Sequence, residues 1–302
     1  MSVITNRYEG FILIEATNSA IGAGFENGGE PRVDMETGHG EILPIVLKRK
    51  IRDYIESEQA GNPGFENYIQ RGPTLRSRDA DGYASVTGET IDLDKTNKKQ
   101  LSALFTAAKK TNPNLESDIT AAMCRKYFDV RSTGAVMTLF TEGKLSCGGT
   151  HGPVQLEVAR SIDPVTIKRM TIGRVACTSD EDSHTLGTVA VVAYGLYMAK
   201  FHISPVLAQN TGFSEEDLEI LLHGMVHMFD DDCSAWRAGV SVRKLVVFDY
   251  PVSRRDITRE QIFDAVSIKR KDGIEFPRSY HDYDINIDRN AIPNGINIRN
   301  VL

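Results

Sequence analysis

The feature that most constrains this chain is the nearly continuous apolar run from Val189 to Ile203. The run from Val189 to Ala199 is too short to span a bilayer, and the whole segment reads as one long strand. Such a strand needs partners. Residues 8 to 16, around Phe11-Ile12-Leu13-Ile14, make a first strand, and Leu245-Val246-Val247-Phe248 makes a last one. Val154, Leu156 and Val158 alternate with Gln155 and Glu157, the period-two pattern of a half-buried strand.

Two helices fit between these strands. Residues 41 to 57 carry an apolar stripe of Leu43, Leu47, Ile51, Tyr54 and Ile55. Phe213 to Phe229 is the clearest helix: Ser214 caps it with Asp217 at the third helical position, Phe213 and Leu218 suit a hydrophobic staple, and Leu218, Leu221, Leu222, Met225 and Phe229 form the core stripe. The resulting β-α-β-β-α-β order predicts an α+β fold of ferredoxin-like type, shared with RNA-recognition modules. Glycine and proline punctuate residues 58 to 125, which read as an insertion, and residues 160 to 187 read as a second interruption. Tyr127 to Phe140 restores order between them and is expected to supply strand.

Composition narrows the class. A chain of 302 residues, 41% hydrophobic and 25% charged, buries a sizeable core as one large domain or two small ones. Cys124, Cys147, Cys177 and Cys233 are scattered, with none of the spacing used by zinc sites or disulfide scaffolds, and read as reduced thiols. Met1 to Arg7 has no apolar signal region, so a cytoplasmic location is expected. The net charge of −6 argues against a uniformly basic coat but leaves room for a local basic groove. Acids cluster apart from the bases, at Glu215 to Glu219 and at Asp230-Asp231-Asp232.

The basic cluster is Lys48-Arg49-Lys50-Ile51-Arg52. Lys48 and Arg52 are i, i+4 neighbours that repel by roughly 0.2–0.5 kcal/mol, and a polyanion would relieve them. A solvated face, offset by Asp53 and Glu56, is the plain alternative. The loop before it, Pro31 to Gly40, holds Asp34 and His39, a carboxylate and an imidazole suited either to acid-base cleavage of RNA or to turn chemistry, the reading favoured here. Further on, Ile167-Lys168-Arg169-Met170-Thr171-Ile172 sets Met170 beside cations, as a wedge between bases or as packed core.

Other motifs fall short. Gly22-Ala23-Gly24 follows a strand, but no helix opens there and Gly28 lies one residue past the third glycine of a dinucleotide fingerprint. Gly143-Lys144 lacks the upstream glycine of a Walker loop. His223 and His227 are four apart on a helix, but Gly224 replaces the glutamate of a zinc peptidase, so solvent-facing histidines are expected. No cofactor or metal is expected. No strand carries a ribonucleoprotein motif, so a groove must be built from helix, loops and insertions.

Several blocks together resemble the Csd-type backbone subunit, of the Cas-seven family, from the type I-C CRISPR interference complex Cascade. They are Asn6-Arg7-Tyr8, Pro31 to Asp34, Glu36 to Gly40, Leu47 to Arg52, Asp129 to Ser132 with Gly134 to Met137, and Gly152 to Leu156 with Ala159 to Pro164. Tyr194 to Tyr197, Thr211 to Ser214 and Leu245 to Phe248 extend the likeness from residue 6 to about 250.

The resemblance implies an RNA-recognition-type palm with fingers at 58–125 and a thumb at 160–187. It implies a noncatalytic subunit that polymerises head to tail along crRNA and presents it for pairing with target DNA, beside a large subunit and a guide-processing subunit. Lys48, Arg49 and Arg52 would hold phosphates, Lys168, Arg169 and Met170 would sit at a kink, and Arg32, Arg131 and Arg160 would join the RNA contacts. Two departures stand out: the first loop reads Asn18 to Phe25 rather than a run rich in Asn, Gly, Pro and Asp, and His151 replaces an expected arginine. Related type III subunits imply the enzyme alternative, an endoribonuclease using Asp34.

Overall fold

Three long apolar strands organise residues 2–173 and 186–302, which this computed structural model describes. In chain order the strands are β1 (Asn6–Ser19), β2 (Arg32–Val33), β3 (His39–Ile42), β4 (Gly134–Val136), β5 (Gly149–His151), β6 (Val154–Leu156), β7 (Ala159–Pro164), β8 (Ile167–Gly173), β9 (Leu186–Ile203), β10 (Val240–Pro251), β11 (Val266–Arg270), β12 (Tyr283–Ile287) and β13 (Asn297–Asn300). The helices are α1 (Pro44–Glu58), α2 (Leu75–Thr87), α3 (Lys98–Thr111), α4 (Leu115–Lys126), α5 (Phe128–Thr133), α6 (Thr138–Glu142), α7 (Pro205–Thr211), α8 (Glu215–His227) and α9 (Arg259–Asp264). The fold is α+β, as the element pattern predicts. The chain divides into two compact units, one of Met1–Arg7, Arg52–Gln155 and His202–Leu222, the other of Tyr8–Ile51, Leu156–Phe201 and His223–Leu302.

The second unit is built on a sheet ordered β13-β10-β1-β9-β7-β3-β2, with β8 also paired to β9. Strands β1, β9 and β10 lie at its centre because both their faces are apolar. Phe11, Leu13, Tyr194, Leu196, Val246, Phe248 and Tyr250 pack on one face against Ile257, Ile262, Ala265, Tyr283 and Ile292 of the C-terminal region. Polar contacts lock that cover at both ends of β1. Arg259 reaches Glu9 at 3.2 Å and also pairs with Glu157. The Glu15 carboxylate accepts from the Tyr280 backbone at 2.6 Å and the Tyr194 hydroxyl at 3.2 Å, with Arg243 at 3.5 Å. The covering strands β11 and β12 form a hairpin of their own.

Residues 159–173 depart from the interruption expected at 160–187. They form β7 and β8, which both pair with β9, from Arg160 opposite Met198 to Gly173 opposite Leu186. Side-chain periodicity hides these strands, since β8 is mostly exposed and its backbone ladder alone defines it. The remainder of the expected thumb, 174–185, lies outside the described residues.

The first unit contains the whole 58–125 insertion, and its weak pattern conceals three helices. Asn97 and Gln100 cap α3 reciprocally, and α3 buries Leu101 and Phe105. Helix α4 buries Leu115, Ile119 and Met123 at a spacing of four. These meet Tyr68, Tyr83, Tyr127 and Phe140 in one core, where the Tyr83 and Phe105 rings are 5.1 Å apart. Tyr127 to Phe140, expected as strand, is mainly α5 and α6 with the short β4 between them. Asp129 explains the difference: its buried carboxylate accepts from the backbone N–H groups of Tyr68 at 2.7 Å, Ile69 at 3.0 Å and Val130 at 3.0 Å. Lying inside the first turn of α5, it ties that helix to the segment at Tyr68 and Ile69.

Asp79 is wholly buried in the same core, accepting from the Tyr68 hydroxyl at 2.8 Å and the Leu139 N–H at 3.0 Å. Burial outweighs these bonds and lifts its carboxyl to about 6. A carboxyl raised above its unfolded value favours the fold when protonated, so this contribution is lost as pH rises from about 4 to about 6. Wild-type stability should fall relative to Asp79→Asn by roughly 2–3 kcal/mol between pH 4 and pH 7. Chemical denaturation of both proteins across that range checks this; a difference independent of pH would contradict it.

Candidate nucleic-acid interface

The glycine-framed segment between β2 and β3 is a tight hydrogen-bonded turn. The Asp34 and Gly38 N–H groups donate to His39 O and Asp34 O, both at 2.8 Å. Asp34 Oδ1 accepts from the N–H groups of Glu36 at 3.0 Å and Thr37 at 3.4 Å. The Glu36 N–H and the Thr37 hydroxyl hold the Asp34 carboxyl below the usual carboxylate range. His39 turns away, its Nδ1 donating to Ser161 O at 2.6 Å. Asp34 therefore braces the turn, while the His39 ring bonds across to β7 at Ser161 O. Gly38 supplies the turn's φ of +74°, and at Gly40 an added Cβ would sit 2.5 Å from the Tyr197 hydroxyl.

Behind this turn the sheet register aligns charges. Arg32 lies opposite Glu41, and Glu41 opposite Arg160, so the three side chains share one face of β2, β3 and β7. Arg160 Nη2 is 2.8 Å from Glu41 Oε1 and 3.6 Å from Asp34 Oδ2, with its side chain 57% exposed. Arg32 is more enclosed: it pairs with Glu26 and donates to Gly22 O at 2.8 Å and Ala23 O at 3.3 Å, pinning the loop that follows β1. That loop holds a 3-10 turn at Phe25–Asn27 where a dinucleotide site needs a helix N-terminus.

Strand β8 delivers Lys168 to the end of β1 and Arg169 to the loop that follows it. Lys168 Nζ is 3.1 Å from Asn18 Oδ1, and Arg169 grips Glu30 with two bonds of 2.6 and 2.7 Å. Because β8 continues a regular ladder with β9, Lys168 and Met170 share one face while Arg169 takes the other. The expected trio is thus split across two faces. Met170 is half-buried, and Lys168 and Arg169 are exposed.

Helix α1 starts two residues after β3, opening on Pro44, where the missing N–H costs nothing. Leu47, Ile51 and Ile55 are buried, Arg49 is exposed, and Lys48 and Arg52 are half-buried. Lys50 departs from a solvated basic face: it is buried, with Nζ 2.7 Å from Asp232, which also lies 3.4 Å from Arg237. Asp232 of the acid cluster is therefore engaged internally, in a long-range pairing that no local pattern reports.

Arg131 requires a correction. It is buried, with Nε and Nη2 bonded to the two Asp217 carboxylate oxygens at 3.0 and 2.7 Å. Its Nη1 donates to Gly64 O at 3.1 Å and Cys124 O at 2.7 Å. Four donor bonds leave little of a five-donor guanidinium for a phosphate, so Arg131 is an internal clamp rather than an RNA contact. Asp217 also caps α8 as expected, accepting from the Ser214 N–H at 2.9 Å. On the same helix His223 is exposed, and His227 Nδ1 is 2.6 Å from Asp230 Oδ2. Among the described residues no group of three or more His, Cys, Asp or Glu is placed to hold a metal ion, and no helix is long and apolar enough to cross a membrane.

A family model described as CRISPR-associated protein Cas7 matches residues 6–288. Among solved structures, a chain of a "CRISPR RNA-guided surveillance complex, pre-nicking" is similar at 13% identity, covering 80% of this chain and 78% of that one, with a TM-score of 0.48. A chain of a "CRISPR RNA-guided surveillance complex" is similar at 12% identity, covering 85% and 80%, with a TM-score of 0.43. No curated protein matches the sequence.

The Arg131 clamp yields a stability prediction. Arg131→Ala should cost about 3–5 kcal/mol by stranding the buried Asp217 carboxylate, and Arg131→Lys, which keeps the charge without the fork, should cost less. Denaturation followed by helical circular dichroism measures both. A loss below about 1 kcal/mol for Arg131→Ala would show that the clamp is dispensable.

Proposed function

Since the chain belongs to the CRISPR-associated Cas7 family, we propose that it is the noncatalytic backbone subunit of a type I-C Cascade. In this reading it binds crRNA in the cytoplasm and polymerises along it head to tail. It then presents the guide for pairing with target DNA, beside a large subunit and a guide-processing subunit. The sequence blocks that resemble the Csd-type subunit support the type I-C assignment.

One observation carries the RNA-binding part. Arg32 and Arg160 share one face of β2, β3 and β7, the neighbouring β8 carries Lys168 and Arg169 on its two faces, and α1 follows β3 with Lys48 and Arg49. Arg32, Arg160 and Arg169 bond to carboxylates in the protein alone. Phosphates competing for exposed Arg160 and Arg169 would exchange one ion pair for another, which suits backbone gripping without base readout. Arg52, one helical turn from Lys48, extends the proposed contacts.

The palm reading draws support from the strand order β10-β1-β9-β7 with α1 and α8 falling between strands in sequence, a ferredoxin-like order. We assign the helical segment within 58–125 to the fingers and the β8–β9 hairpin to the thumb base. The endoribonuclease alternative draws no support from Asp34, whose Oδ1 serves the turn and whose Oδ2 faces Arg160.

Lys48→Ala combined with Arg52→Ala should weaken binding of any single-stranded RNA and flatten the log-log salt dependence by about 0.7 per lost phosphate contact. Binding isotherms across a salt series test this. A slope equal to that of wild type would remove the basic helix from the groove.

A further inference from the structure

Phe25 is the most exposed large apolar side chain of the described residues, with its ring fully open to solvent. Its backbone is firmly held. Within residues 22–32 the N–H of Asn27 bonds Gly24 O, that of Gly28 bonds Phe25 O, that of Gly29 bonds Gly24 O at 2.9 Å, and that of Gly24 bonds Glu30 O at 3.1 Å. Ala23 bridges to Pro31, Arg32 pins Gly22 O, and Arg169 of β8 clamps Glu30. An aromatic ring held in water on a hydrogen-bonded loop costs the fold apolar exposure and gives it no packing, which points to a ligand.

We propose that Phe25 is a stacking platform for an unstacked nucleobase of bound single-stranded RNA, a specificity-neutral contact alongside the phosphate-binding cations. This rests on the RNA-binding reading above. Three observations favour a base over a protein partner. Its chain neighbours Gly24, Glu26, Asn27, Gly28 and Gly29 add no apolar side chain beside the ring, whereas the core of a protein interface is rich in them. Beyond the Cβ positions of Gly28 and Gly29 lies open space, room for a flat group to approach. The same loop is fastened by Arg32 and Arg169, and the exposed Arg169 can follow a phosphate beside a stacked base. Its carboxylates Glu26 and Glu30 are each neutralised by one of those arginines.

The test uses the full chain and a guide-length RNA, with affinity measured by fluorescence anisotropy over a salt series. Phe25→Ala should bind roughly 5- to 150-fold more weakly than wild type, with the salt slope unchanged, because stacking releases no counterions. Phe25→Trp should retain affinity, and its added indole emission should be quenched as RNA stacks on it. Wild-type affinity in Phe25→Ala would overturn the stacking role while leaving RNA binding intact. A parallel fall in salt slope would mean that the loop positions cations instead. A changed self-association without changed RNA affinity would assign Phe25 to a protein contact and equally overturn the proposal. A wild-type chain that binds no RNA would fail at the earlier step, the functional reading itself.

Discussion

The second unit depends on one constraint: the central strands β1, β9 and β10 are apolar on both faces, so neither face can be left to water. The C-terminal region meets this need on one side, with Ile257, Ile262, Tyr283 and Ile292 over Phe11, Leu196 and Phe248. Glu9 and Glu15, on the same face of β1, bind Arg259 and the Tyr280 backbone N–H and fasten the cover. An ordinary RNA-recognition module reads RNA across an open sheet. Here that route is closed on the covered face, and the cations gather toward the β7-β3-β2 side.

The charges there are arranged by register rather than by composition. A chain with net charge −6 presents Arg32 and Arg160 on either side of Glu41 because three strands align them, and Arg169 reaches Glu30 because β8 extends along β9. Each exposed arginine has a carboxylate that keeps it ordered. In the proposed RNA-binding reading, order of this kind lowers the entropy lost when a phosphate takes the carboxylate's place. In the other unit the same chemistry is turned inward, where Asp217 both caps α8 and clamps Arg131, and Asp129 gathers three backbone N–H groups.

Much of this is legible in the sequence, for reasons that separate local from distant effects. The long apolar strands, the stripe of α1 and the Ser214–Asp217 cap are local patterns, and the structure has them where periodicity and capping chemistry place them. The helices of 58–125 were less visible because glycines and prolines in the connections dilute the periodicity, although the Asn97–Gln100 capping box was present to be read. Strand β8 escapes periodicity because an exposed ladder needs no apolar alternation. The fates of Lys50 and Arg131 are written in Asp232 and Asp217, far along the chain, and only the tertiary fold reveals that these cations are spent internally. The turn reading of Asp34 rested on local residues and agrees with the geometry.

A subunit that grows along its guide as proposed would make heterologous contacts that do not close on themselves, so RNA length would set the number of copies. The most direct test is light scattering with dual-wavelength absorbance on the chain purified with guide RNAs of increasing length, giving protein copies per RNA. The account predicts several copies per RNA, rising with RNA length. A nucleic-acid-free monomer that ignores added guide, or a fixed single copy at every length, would contradict it.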